Sequence, residues 1–306
     1  MEFTLNPTTT PKASVNCTRN GWRLEIPVGE RGTYRLAQLD DYAALPRAHF
    51  LHSPPWTCSL RARVSASNLP GTWGFGLWND PFGFSLGFTG KAGRLPVLPN
   101  AAWFFHASSP NWLSFRDNIP SHGFFAGATR SPHIPPLVLA PVFFALPFMG
   151  LRPISFLIRR LASQIIQQDA AAIDVEVSQW HEYSIKWLRE CSEFILDGKI
   201  ILQTSISPGP TLGLVFWIDN QFAAWTPEGR LGYGTLNNPP AWLEIENKAQ
   251  GKMIITTEKD FVRLKGSIPK EQLFYLPIRI SFLSAAEKFD KTITDYVETR
   301  KRTSRN

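Results

Sequence analysis

The sequence predicts a mainly β protein: an antiparallel β-sandwich with a helical, proline-rich insertion and a small α/β C-terminal segment. Three observations carry this. Apolar residues alternate with polar ones in several short runs before residue 248, the period of a half-buried strand. Asp197-Gly198 stands between two apolar runs, the strongest short hairpin signal, since a type I′ turn needs positive φ at both positions. The composition then changes near Asn247–Gly251: all 11 Trp lie before residue 243, while +5 of the net charge of +7 falls in residues 249–306. Such a change marks a domain seam.

With 306 residues the chain is long enough for a substantial core. Residues 1–19 read as an extended or disordered N-terminus, 20–248 as the sandwich with an apolar and helical insertion at 134–172, and 249–306 as a tail. Leu60, Ala62, Val64 and Ala66 alternate with Arg61, Arg63 and Ser65 in one half-buried strand. In the run GTWGFGLWNDPFG, Trp73, Phe75 and Leu77 share one face, with Gly74, Gly76 and Trp78 on the other. Glycines on one face require something to approach the backbone closely, and Asn79-Asp80-Pro81 ends the strand in a turn. Asn100–Ser108 (NAAWFFHAS) forms the next strand in order.

The segment Ile134–Leu151 is 18 residues without a charge, yet it holds Pro135, Pro136, Pro141 and Pro147. Prolines oppose a regular spanning helix, so membrane-surface contact through 134–160 is expected to be interfacial. Ile158–Ala172 has helical spacing and continues that insertion. Tyr183, Ile185 and Trp187 form a further strand, followed by the hairpin at Asp197-Gly198. Thr211–Asp219 (TLGLVFWID) and Ala241–Glu246 complete the sandwich. In the tail, Lys252–Thr257 is a strand and Glu258–Asp260 opens a helical turn, with acids at its positive end. A second strand lies near Phe274–Phe282, and Phe289, Ile293 and Val297 mark an amphipathic helix. This β-α-β-α order suits a parallel sheet.

Composition excludes several functions. Basicity that lies mostly in the tail does not make the whole chain a nucleic-acid binder. Cys17, Cys58 and Cys191 are odd in number and lack C-x-x-C spacing, so neither a disulfide framework nor a zinc site is indicated. The start of the chain shows no secretory signal, so a cytoplasmic or membrane-associated location is expected. No metal and no cofactor are expected.

The stretches LRARVSASNLPGTWGFGLWNDPFGFSLGF, WHEYSIKWLRECSEFILDGKIILQT and PTLGLVFWIDNQF resemble the concanavalin A-like lectin/glucanase fold, in particular glycoside hydrolase family 16, over residues 20–247. That resemblance implies hydrolysis by acids in the pattern E-x-D-x-x-E on one strand, with a bulge turning all three into the cleft. Here the matching positions are Ala101, Trp103 and His106, and the strand has no acid. The expectation is therefore a non-catalytic protein binding a carbohydrate or glycolipid. Trp112 and Trp225 are the leading ring-stacking candidates, and Trp78, Asp80, Asp219, Asn220 and Gln221 are further ligand-binding candidates. The alternatives are a divergent glycosidase using Asp80, Asp117 or Asp219, and a membrane-associated interaction protein acting through Ile134–Leu151.

MIITTEKDFVRLKG followed by LFYLPIRISF resembles the C-terminal end of tetraacyldisaccharide 4′-kinase, a bacterial enzyme of lipid A biosynthesis, over residues 252–300. That resemblance implies an ATP-dependent relative, but phosphate binding needs G-x-x-x-x-G-K-[ST]. The nearest stretch, Gly87–Ala92, has glycines too close together and no hydroxyl after Lys91.

Overall fold

The computed structural model describes residues 5–81, 94–134 and 150–247, and in the tail residues 254–256, 261–263, 265, 273–275, 289, 291–292 and 294–296. The chain divides into two compact units, Met1–Lys248 and Ala249–Asn306.

The first unit is a jelly-roll sandwich of two seven-stranded antiparallel sheets. In chain order its strands are β1 (Asn6–Thr9), β2 (Ser14–Cys17), β3 (Gly21–Ile26), β4 (Leu36–Asp40), β5 (Trp56–Val64), β6 (Thr72–Trp78), β7 (Ala101–Ala107) and β8 (Gly123–Arg130). After helix α1 (Arg152–Ile165) come β9 (Gln167–Ala172), β10 (His181–Trp187), β11 (Ser192–Leu196), β12 (Lys199–Thr204), β13 (Gly213–Asp219), β14 (Gln221–Trp225), β15 (Leu231–Thr235) and β16 (Ala241–Asn247). The first sheet runs β1-β4-β13-β6-β7-β8-β9 and the second β12-β11-β10-β5-β16-β3-β2. β14 and β15 form a separate hairpin.

Alternation decides what lies between the sheets. Trp73, Phe75 and Leu77 of β6, Phe104 of β7 and Phe216 of β13 meet Leu60, Tyr183, Trp187 and Phe194 of the second sheet in one buried core. Trp73 and Trp187 are thus core residues, as strand parity predicts. The β11–β12 hairpin turns at Asp197 (φ 48°) and Gly198 (φ 78°), the positive pair that the sequence required. On the outside of the second sheet Arg23, Arg63 and Glu244 form ion pairs, and Trp242 lies under both guanidinium groups.

Two expectations are corrected. Residues 158–172 are not one helix: α1 ends at Ile165, and Gln167–Ala172 pairs with β8. Its alanines are helix formers by propensity, but the open edge of β8 captures them as an edge strand, a case of tertiary pairing overriding propensity. Residues 1–19 already contribute β1 and β2, so the sandwich starts near Asn6. Pro7 fits because β1 is an edge strand.

The second unit contains β17 (Ile254–Thr256) and β18 (Leu273–Tyr275), paired in parallel, with helical residues at 261–263, 289, 291–292 and 294–296. The uncharged stretch 135–149, the glycine-rich stretch 87–92 and Glu258–Asp260 lie outside the described residues.

Candidate functional site

The outer face of the first sheet is the candidate site. Regular pairing from β13 through β6 and β7 to β8 places residues there in cross-strand rows. One row is Asp219, Thr72, Ala107 and Gly123; the next is Trp217, Gly74, Phe105 and Phe125; a third is Val215, Gly76, Trp103 and Gly127. The glycines of WGFGLW therefore answer to neighbouring tryptophans. A Cβ on Gly74 would lie 2.7 Å from Cη2 of Trp217, and one on Gly76 would lie 2.7 Å from Cβ of Trp103. The result is a continuous aromatic floor: Trp103 lies 5.9 Å from Trp217, 4.9 Å from Phe105 and 6.1 Å from Trp78, centroid to centroid. Trp217 and Phe105 are buried within it, whereas Trp103 and Trp78 are part-exposed.

Ala101, Trp103 and His106, the positions matched above to the acid pattern, all lie on β7. Its register with both neighbours is unbroken from Ala101 to Ala107, so Ala101 and Trp103 face outward and His106 faces the core. His106 stacks on Trp73 at 5.4 Å. Its Nε2 lies 3.2 Å from the carbonyl of Leu69, and an acceptor there requires that nitrogen to carry the proton. Burial holds its pKa below the ordinary histidine value, against that hydrogen bond.

Asp219 ends β13 at one edge of the floor, buried beside Tyr34. Trp217 Nε1 donates to Thr72 Oγ1 at 2.9 Å, and that hydroxyl donates to Asp219 Oδ1 at 2.8 Å. Tyr34 Oη donates to Oδ2 at 3.2 Å. Burial pushes the Asp219 carboxyl up to about 6, even though the hydrogen bonds from Thr72, Gln221 N–H and Tyr34 favour its charged form. Burial and the adjacent carboxylate also raise the Tyr34 phenol.

Asp80 lies past the Trp78 end of β6, opposite the Thr72 end where Asp219 sits. Its carboxylate pairs with Arg94 at 2.5 Å, and Arg94 also donates to the carbonyls of Tyr42, Ala43 and Leu45. Asp117 pairs with Arg159 at 2.8 Å. These three carboxylates thus have three different settings. Asp40 is the other outward acid near the floor. It pairs with Val215, four residues along β13 from Asp219, or about 13 Å at strand rise.

Trp112 and Trp225 meet side by side rather than standing in open loops. Trp112 N–H donates to Ala223 O, and Trp225 N–H donates to Trp112 O, both at 3.0 Å. Trp225 packs edge-on against Phe115, and both indoles are half-buried. Asn220 is fully buried: its Oδ1 accepts Arg35 N–H, and its Nδ2 donates to the carbonyls of Thr33 and Leu236. It has no amide group left for a sugar hydroxyl. Gln221 is part-exposed beside Asp219.

Sequence reasoning missed Tyr34, Thr72 and the buried Asp41–His52 pair, 2.6 Å apart, in which Asp41 also accepts Leu214 N–H. Their partners are far away in sequence, and no local spacing signals them. Among the described residues no three His, Cys, Asp or Glu side chains converge as metal ligands.

Sheet order and face together define a jelly-roll β-sandwich with an aromatic outer face. In fold it is similar to laminarinases and glucanases. These include LamA from Zobellia galactanivorans in complex with laminaritriose and laminaritetraose, at 12% identity and TM-score 0.41, over 79% of this chain and 89% of that one. They also include the laminarinase catalytic domain of Thermotoga maritima, at 12% identity and TM-score 0.39, over 77% and 78%. A family 16 endo-glucanase from Bacteroides ovatus gives 9% identity and TM-score 0.36, over 76% and 84%. A segment of 55 residues is 54% identical to tetraacyldisaccharide 4′-kinase of Flavobacterium psychrophilum, and one of 54 residues is 52% identical to that of Flavobacterium johnsoniae. Each covers 18% of this chain and 16% of the relative's length, so the chain spans about a sixth of the curated relatives it matches. No family model matches the chain.

Proposed function

We propose that the sandwich binds a saccharide along the outer face of the first sheet without hydrolysing it. The observation that carries this is β7 itself: its outward positions are Ala101, Trp103, Phe105 and Ala107, a stacking surface with no carboxyl group. Ring faces of this kind suit the apolar faces of pyranose rings. Trp103 and Trp78 are the stacking residues of this reading, and Asp219, Gln221 and Asp80 its polar rims. Trp112 and Trp225 act through position, holding the hairpin and α1 together. Asp219, pushed up to about 6 by burial, lies near the range to which general acids are tuned. Glycoside hydrolysis also needs a second carboxyl within about 5–10 Å, and Asp40 is too far along the strand to serve. The kinase-like segment favours a glycolipid headgroup as one form of the saccharide.

The test is calorimetric titration of the whole chain with a panel of soluble oligosaccharides, laminaritriose included, alongside a reducing-sugar assay. Binding by wild type, lost in Trp103→Ala and kept in Trp242→Ala, is the expected result. Release of reducing ends, or binding untouched by Trp103→Ala, would overturn the reading.

A further inference from the structure

Helix α1 is built the reverse of an ordinary surface helix. Its side toward the sandwich carries Ser155 (0% exposed) and Arg159 (5%), while Phe156 (46%), Leu157 (56%), Leu161 (50%) and Ile165 (45%) stand in solvent. Leu157, Leu161 and Ile165 recur every fourth residue and so form one stripe. Polar bonds hold the helix this way round. Trp225 Nε1 donates to Ser155 Oγ at 2.9 Å, and Arg159 donates to the carbonyls of Trp225 and Ser114, both at 3.0 Å, and to Asp117. Gly229, at φ +76°, lies against the first turn: a Cβ there would be 2.7 Å from both Arg152 O and Phe156 N. The apolar stripe faces out while Ser155 and Arg159 tie the opposite side to the sandwich.

We propose that α1 is an interfacial anchor seating the sandwich on an anionic phospholipid surface, its Leu157–Leu161–Ile165 stripe at the boundary of headgroups and acyl chains. Three further observations select lipid as the occupant. Arg152 and Arg160 are exposed on the same helix, and residues 151–166 contain no acid, the charge pattern of helices that lie on anionic membranes. Leu151, just before the helix, is exposed as well. No described helix is long and apolar enough to cross a bilayer, so the contact lies in the plane of the surface. This inference stands apart from the saccharide reading, because it needs no sugar and uses none of the aromatic floor.

The experiment is flotation of the full chain with vesicles of mixed phosphatidylcholine and phosphatidylglycerol, and with phosphatidylcholine alone. Wild type should float with the anionic vesicles, and the double variant Leu157→Glu/Leu161→Glu should lose partitioning by about tenfold or more. Its melting temperature should hold, since both side chains are already in solvent. Trp103→Ala should float like wild type, which separates this result from any failure of the saccharide site. Three outcomes would overturn the proposal: no flotation of wild type, equal flotation of the double variant, or a wild-type dimer in sedimentation velocity that the double variant abolishes.

Discussion

The indole of Trp217 lies directly over Gly74, with Cη2 placed 2.7 Å from where a Cβ at residue 74 would be. The ring cannot swing aside cheaply, because its Nε1–H is bonded to Thr72. The carbonyl of Phe104 closes the other side at 2.5 Å. Gly74→Ala is therefore expected to cost about 1–3 kcal/mol through overpacking, read as a lower urea midpoint at unchanged m-value. An unchanged midpoint would show that the floor yields more easily than this contact implies.

Asp219 should make stability depend on pH in a definite direction. Its folded carboxyl titrates near 6, above the ordinary unfolded value of about 3.9. The folded state therefore holds the extra proton between these values, and stability falls as pH rises from about 4 through about 6. Asp219→Asn removes that slope. The variant should gain on wild type by about 2–3 kcal/mol between acid and neutral pH, measured by urea unfolding of both proteins across the range. Parallel curves would mean that Asp219 ionises normally.

Arg159 is buried, and its guanidinium bonds three separate oxygens. Arg159→Met leaves the carbonyls of Trp225 and Ser114 without that donor inside the packed helix–hairpin contact. A loss of about 2–4 kcal/mol in the docking of α1 is expected, seen as faster amide exchange across 152–165 with little change in β10 or β11. Protection retained across α1 would assign its docking to Ser155 and Gly229 instead.

Among the described residues, all strands of both large sheets end by Asn247, and the residues of their shared core lie in the first unit. A chain truncated after Lys248 should therefore fold with the same near-ultraviolet circular dichroism and a melting temperature within a few degrees of the full chain. Collapse to a state without fixed aromatic signals would contradict an independent sandwich.

Parity made much of this fold readable. Alternation in β5, β6 and β10, and the Asp197-Gly198 turn, are local patterns, and local patterns survive in the structure. Pairing with a distant partner is invisible to such reading. Gln167–Ala172 has helix-forming alanines and becomes a strand only because β8 needs a neighbour. Trp112 and Trp225 looked like loop rings because nothing nearby reveals that their backbones bond each other across more than a hundred positions. The aromatic floor was half legible: Gly74 and Gly76 announced a close approach, but the rings that make it come from β7 and β13. The lack of acids on β7 could be read directly, whereas the outward and inward split of Trp103 and His106 needed the register.

That unbroken register bears on any attempt to build the E-x-D-x-x-E acids onto β7 by design. Carboxylates grafted at 101, 103 and 106 would not gather around one bond, because the third would point between the layers and displace an imidazole stacked on Trp73. One added residue between 103 and 106 would be needed first, to swing the end of the strand over. Placing that acid pattern on β7 is thus a problem of chain length before it is a problem of side-chain identity.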